Sequence, residues 1–147
     1  MSKDYLKSLG YIAFVTRLKR LSDALMHDGK RLYNELDFDI EPNWYVVFEL
    51  LKTKGPMSVT EIAEFAQMSH PSVIGITNKM MDNGYLLSEK DPNDSRKRVL
   101  DLSDRAIKRL PEFEAVWNAG VQGVEKALEG MNALEHLEKW EKKFSEK

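Results

Sequence analysis

Three observations predict a mainly α fold (α+β) built around a winged helix-turn-helix. Apolar residues recur at helical spacing along most of the chain. Between Met57 and Gly84, two short helical segments with good capping residues flank a brief turn. Directly afterwards, two β-prone segments enclose a turn-forming loop that carries Arg96, Lys97 and Arg98. That order puts one helix and one basic loop on the same side of a molecule, a shape that suits double-stranded DNA.

The elements follow in chain order. From Tyr5 to about Leu36, an apolar stripe of Leu6, Leu9, Ile12 and Ala13 continues through Leu18, Leu21, Leu25, Leu32 and Leu36. A helix of roughly 30 residues is long for a small domain. It has too much apolar surface for one chain to cover, so part of the stripe is expected to face another chain. Gly29 is expected to interrupt or bend it. Glu41-Pro42-Asn43 opens a second helix, since proline is tolerated in a first turn, and Trp44, Val47, Phe48 and Leu51 follow at helical spacing. Lys54-Gly55-Pro56 ends it. Ser58 and Glu61 spell a capping box for a short helix whose core face is Ile62, Ala63 and Phe65.

Gln67-Met68-Ser69 makes the turn, Ser69 caps the next helix, and Pro71 sits where its missing N–H costs nothing. This helix is expected to run to about Asn83 and stop at Gly84. Val73, Ile76, Thr77 and Met80 then point inward. Ser69, His70, Pro71, Ser72, Ile74, Gly75, Asn78 and Lys79 are left at its start and on its outer face. Tyr85–Ser88 and Arg98–Leu102 read as paired strands around the turn formers of 91–95. Ser103 caps a long helix to about Glu129, which Pro111 is expected to kink. Gly130 breaks the pattern, and Leu134, Leu137, Trp140 and Phe144 mark a last amphipathic helix.

With 147 residues, 42% hydrophobic and 31% charged, the chain suits one globular domain rather than a disordered segment. No apolar run is long enough to span a membrane, and the first residues lack a secretory pattern. There are no cysteines, which excludes disulfides, thiolate metal sites and thiol redox switching. A cytoplasmic location is the expectation. The net charge of −2 is uneven: residues 90–109 hold seven basic and four acidic side chains, residues 111–147 five basic and eight acidic. Positive charge therefore gathers at the hairpin.

The candidate DNA-contacting residues are those of the second helix together with Lys90, Asp94, Ser95, Arg96, Lys97 and Arg98 of the wing. Asp94, two residues before Arg96 in a tight turn, is placed to orient its guanidinium. His27, His70 and His136 show no metal-ligand spacing, so no metal is expected. Phosphate loops and nucleophile motifs are absent, so neither a catalytic residue nor a cofactor is expected. Tyr11, Phe14, Trp44, Tyr45 and Phe48 are candidates for a pocket that takes a small aromatic ligand, against the alternative that they simply pack.

The stretch DPNDSRKRVLDLSD resembles the wing of the MarR family of bacterial transcriptional regulators, D-P-x-D-x-R followed by a strand and L-x-L-[ST]. Asp91, Pro92, Asp94, Arg96, Leu100, Leu102 and Ser103 match it. The spacing from Ile62 to Gly84, EPNWYVVFELL and RLPEFEAVW are also similar to the family's pattern, so the likeness covers nearly the whole chain. The resemblance implies a single domain over residues 1–147. Residues 1–36 and 104–147 would be dimerisation helices, and 41–103 the DNA-binding lobe. It further implies a homodimeric repressor on a pseudo-palindromic operator, released by a small aromatic or anionic effector.

The chain departs from the family at Gln67, where glycine is common, at Ile74-Gly75, where Thr-Arg is common, and at Ala106. Without that arginine the commonest guanine contact is lost. Readout then falls to His70, Ser72 and Asn78, with Pro71 or Ile74 on thymine methyls, and an A·T-leaning site is expected. Two rivals remain open. The weakly basic helix keeps alive a winged helix that binds a protein partner with little specific DNA binding. An enzyme using the aromatic pocket lacks any nucleophile–base pair.

Overall fold

In the computed structural model, which describes residues 3–146, the apolar N-terminal stretch is divided rather than continuous. Helix α1 (Tyr5–Ser8) gives way to a 3₁₀ turn, Gly10–Ala13, before α2 (Phe14–Glu35) begins. The break falls at Gly10, whose left-handed φ of 60° suits a residue without a Cβ. Gly29, the expected interruption, lies inside an unbroken helix. Pro42 stands 3.5 Å from where its Cβ would be, so the position meets the following linker instead of bending the helix. Lys30 fastens the same linker, 3.2 Å from the Ile40 carbonyl and 3.1 Å from Glu41 Oε1.

Three helices end in the same way. Asp37, Gln67 and Gly84 each take a left-handed φ just past a helix. The next residue's N–H then bonds back across the last turn: Phe38 to Tyr33, Met68 to Ala63, Tyr85 to Met80. This is the Schellman arrangement, which satisfies the orphan carbonyls of a helix end. At two of the three sites the left-handed residue is not glycine. The strain, of about 1 kcal/mol each, is offset by the bonds formed.

Two compact units make up the chain, Met1–Ala106 and Ile107–Lys147. In the first, α3 (Tyr45–Lys54), α4 (Val59–Ala66) and α5 (His70–Asp82) are followed by β1 (Leu86–Lys90) and β2 (Arg98–Leu102). The strands pair antiparallel, Leu86 opposite Leu102 and Lys90 opposite Arg98. Met57 adds a bridge to Leu100, with N–O distances of 3.0 and 2.8 Å, and so ties the start of the helix-turn-helix to the wing. Trp44, Val47, Phe48, Ile62, Val73, Met80, Tyr85 and Leu100 are buried core residues of this unit. Phe65, expected in the core, is half exposed and lies under the Lys54 ammonium at 4.6 Å. Its face of α4 is covered by a cation in place of apolar neighbours.

Much of the α2 stripe stays in water: Val15, Leu21 and Leu25 are 60–73% exposed. The second unit repeats this. Helix α6 (Asp104–Ala127) starts in the first unit and runs through Pro111 without an interruption; α7 (Ala133–Ser145) buries none of its residues. Val121, Val124, Leu128 and Met131, then Leu134, Leu137 and Phe144, are exposed at helical spacing. No helix among the described residues is long and apolar enough to cross a membrane.

Asp4 caps α1 by accepting from the Leu6 amide at 3.1 Å, and Arg20 donates two hydrogen bonds to it, at 3.1 and 2.8 Å. The Arg20 guanidinium holds the Asp4 carboxyl down at about 2. A depressed carboxyl stabilises the fold above its unfolded pKa, and that contribution fades as pH falls through the folded value. An NMR titration should therefore give Asp4 a midpoint near 2, and Arg20→Met should return it towards 3.8. A midpoint unmoved by the substitution would contradict the assignment.

Candidate nucleic-acid interface

The helix-turn-helix is set by local capping. Ser58 accepts from the Glu61 amide at 3.1 Å while the Glu61 carboxylate accepts from the Ser58 amide at 3.3 Å, the expected capping box. Ser69 caps α5 through the Ser72 amide at 3.2 Å and donates its hydroxyl to the Ser72 hydroxyl at 2.7 Å. Val73, Ile76, Thr77 and Met80 face inward. Ser69, His70, Pro71, Ser72, Ile74, Gly75, Asn78 and Lys79 are all exposed. Pro71, Ile74, Gly75 and Asn78, spaced three and four apart, form one outward stripe. Glycine in a helix interior costs about 1 kcal/mol relative to alanine, and Gly75 has an ordinary helical backbone.

The wing is braced from within. Asp94 accepts from the Arg96 amide at 3.0 Å, and its carbonyl accepts from the Lys97 amide at 3.0 Å. The Asp91 amide donates to the Lys97 carbonyl at 3.0 Å, closing the loop. Asp94 was expected to orient the Arg96 guanidinium. It meets Arg96 Nε only at 3.5 Å, and chiefly fixes the backbone of the turn. The Arg96 side chain is 91% exposed, so its charge is presented to solvent from a fixed base. Arg98 differs: its Nε donates to Ser88 Oγ at 2.7 Å and its Nη2 to the Ser88 carbonyl at 2.9 Å, clamping the two strands. Lys90, Ser95 and Lys97 are exposed.

The five aromatic residues considered for a pocket differ in their surroundings. Trp44 and Phe48 are buried in the core, edge-on to Tyr85 at 6.3 and 5.5 Å, because α3 turns that face inward. Tyr45 is half exposed and Tyr11 is 92% exposed. Phe14 packs beside Tyr11 and lines a groove of about 460 Å³ along α2, with Arg17, Leu18, Arg20, Leu21 and Ala24.

Sequence reasoning missed the cluster that holds the interface in place. Tyr85 is fully buried. Its hydroxyl donates to Asp39 in the linker after α2, and Arg105, in the first turn of α6, donates to Asp39 Oδ2 at 2.6 Å and to the Tyr85 hydroxyl at 3.2 Å. The Arg105 guanidinium also lies over the Tyr85 ring at 4.7 Å. The hydrogen bond to Tyr85 raises its already high pKa, leaving it a permanent cation. Asn83 donates to the Asp39 carbonyl at 2.8 Å, and Ser103 donates to the Gly84 carbonyl at 2.6 Å while accepting from the Ala106 amide at 3.2 Å. Linker, helix end, wing root and α6 start thus meet at one ring. The one sequence signal was a lone Asp between Phe38 and Ile40.

Residues 40–97, from the linker through the wing, match the model of the MarR family. Over that stretch the chain is similar to the MarR family. Among curated proteins it is 28% identical over 103 residues to YkoM of Bacillus subtilis, named an HTH-type transcriptional regulator, across 70% of this chain and 63% of YkoM. It is 24% identical over 118 residues to the DNA-binding transcriptional repressor ScoC of the same species, across 76% of this chain and 58% of ScoC. The chain thus spans about three-fifths of the length of these curated relatives. Among solved structures it shares its fold with MepR of S. aureus in a DNA complex, at 16% identity and a TM-score of 0.70, over 91% of this chain and 96% of MepR. These MarR-family likenesses agree with the winged helix-turn-helix seen here.

Removing the Tyr85 hydroxyl takes two hydrogen bonds from this cluster, those with Asp39 and Arg105, and leaves the ring in the core. Tyr85→Phe should lower stability by about 1 kcal/mol, and Tyr85→Ala by roughly 3–5 kcal/mol, both read from urea midpoints. An unchanged midpoint for the phenylalanine variant would show that the cluster is ornamental.

Proposed function

We propose that this chain is a MarR-family regulator of transcription, sequence-specific and a repressor, that binds double-stranded DNA as a homodimer on a pseudo-palindromic operator in the cytoplasm. The observation that carries the reading is the pairing of an outward α5 stripe with a wing whose backbone is fixed and whose Arg96 side chain is exposed to solvent. A recognition helix suits the major groove, and an extended guanidinium suits the narrow, negative minor groove beside it. MepR and reduced AbfR, which share the fold, are described in complexes with DNA, and ScoC is named a DNA-binding repressor. The relatives are named as regulators, not enzymes.

In this reading residues 41–103 form the DNA-binding lobe, and residues 1–36 and 104–147 pair with a second copy. The exposed stripe of α2 and those of α6 and α7 are the surfaces that such a partner covers, and a two-fold protein matches a two-fold site. His70, Ser72 and Asn78 read base edges. Lys79, Lys90 and Lys97 neutralise phosphates, while Arg98 shares that task with bracing the wing. A small aromatic anion is the proposed effector, with Phe14 and Arg17 as apolar and cationic walls of its site.

The test is an anisotropy titration of purified protein against duplex DNA from upstream of its own gene, with excess competitor. Binding should be specific and should weaken with salt, each lost phosphate contact flattening the log–log slope by about 0.9. Arg96→Ala should reduce affinity on the order of 10-fold or more while leaving the unfolding midpoint unchanged. Leu21→Glu with Leu25→Glu should yield a monomer by light scattering and abolish tight binding. A folded Arg96→Ala protein with undiminished affinity would remove the wing from the mechanism.

A further inference from the structure

Gly75 stands at the middle of the outward stripe of α5, with Pro71 one turn before it and Ile74 and Asn78 beside and after it. Among the described residues, nothing accounts for a glycine there. Its φ is not positive, and a Cβ built on its backbone meets no atom within 4 Å. Neither the fold nor a turn requires the missing side chain, and the helix is weaker for it. What the absence does produce is a notch: the α5 backbone is bare in the middle of the stripe. Its neighbours on the stripe are short or apolar, and Ile74 is 37% exposed.

We infer that Gly75 is a specificity-determining residue: its missing side chain lets α5 seat deeply enough in the major groove for Pro71 and Ile74 to touch a thymine methyl. This rests on the DNA-binding reading above and adds to it the residue that sets the depth of docking. A T·A pair presents its methyl and the O4 acceptor in the major groove, and apolar side chains recognise that methyl by contact. A methyl at position 75 would stand between the helix backbone and the base edges, lifting Pro71 and Ile74 from their target. Phosphate contacts made by flexible lysines would adjust to the lift, so the effect falls on specific binding.

The experiment compares the full-length protein with Gly75→Ala. Wild-type protein first selects its site from a random duplex library. Affinities for that site are then measured with each thymine replaced in turn by deoxyuridine, which removes only the methyl group. Gly75→Ala should raise the thermal midpoint by about 3 °C and weaken binding to the selected site on the order of 10-fold, with non-specific affinity within about two-fold of wild type. Wild-type protein should lose affinity at one uridine-substituted position in each half-site, and the alanine variant should be indifferent there. Rising stability with falling specific affinity separates a docking role from a structural one. Equal specific affinity in the two proteins, or identical uridine profiles, overturns the inference while leaving DNA binding intact. A wild-type protein that selects no site overturns the DNA-binding reading, and this inference with it.

Discussion

The arrangement of the first unit depends on where one phenol is held. Tyr85 follows the glycine that ends α5, and its amide caps that helix by bonding to the Met80 carbonyl at 2.9 Å. Its ring fills the core between Trp44 and Phe48, and its hydroxyl emerges at Asp39 and Arg105. A tyrosine can do this because it carries a large apolar body with a polar tip. The apolar part fixes the wing's root against α3, and the tip fixes both to the linker that leaves α2. The end of α2 and the end of α5 are thereby joined through packed atoms and hydrogen bonds rather than through a loose tether.

Charge is divided unevenly across the surface that faces DNA in the proposed reading. The wing concentrates Arg96, Lys97 and Arg98, whereas the stripe of α5 contains no charged residue between His70 and Asn78. In that reading most of the phosphate contacts, which position, would come from the wing, and the base contacts, which specify, mainly from α5. Asp94 holds the turn through the Arg96 amide and meets the guanidinium through one long contact of 3.5 Å. A fully paired arginine would have part of its hydrogen-bonding capacity used within the protein. Arg98, tied to Ser88, illustrates that alternative on the neighbouring strand.

What the sequence made legible was local. The capping box at Ser58 and Glu61, the cap at Ser69, the inward set of α5 and the paired strands all follow from spacings of a few residues, and the structure has them. Contacts between distant segments were not legible. Gly10 and Gly29 are the same residue type in the same apolar pattern, yet one breaks the helix and the other meets Pro42. Only tertiary placement separates them. Trp44 and Phe48 were pocket candidates with packing as the default reading, and both lie in the core against Tyr85. The Asp39–Tyr85–Arg105 cluster joins residues 46, 20 and 66 apart in the chain, a separation that no local pattern records.

The exposed apolar faces bear on how such a chain can be stable at all. A long helix whose stripe remains in water gains little from packing, and isolated helices depend on packing for most of their stability. Both terminal segments are in that condition: α7 buries no residue, and Leu21 and Leu25 of α2 are more than half exposed. Covering these faces with a second copy would convert exposed area into favourable burial on both chains at once. Folding and assembly would then be coupled. The linker at Asp39 would join the surface that assembles to the ring that holds the recognition helix. In the proposed dimer the spacing of the two copies of α5 would be set by the same contacts that stabilise each chain, and loosening the paired helices would act on DNA binding without touching α5.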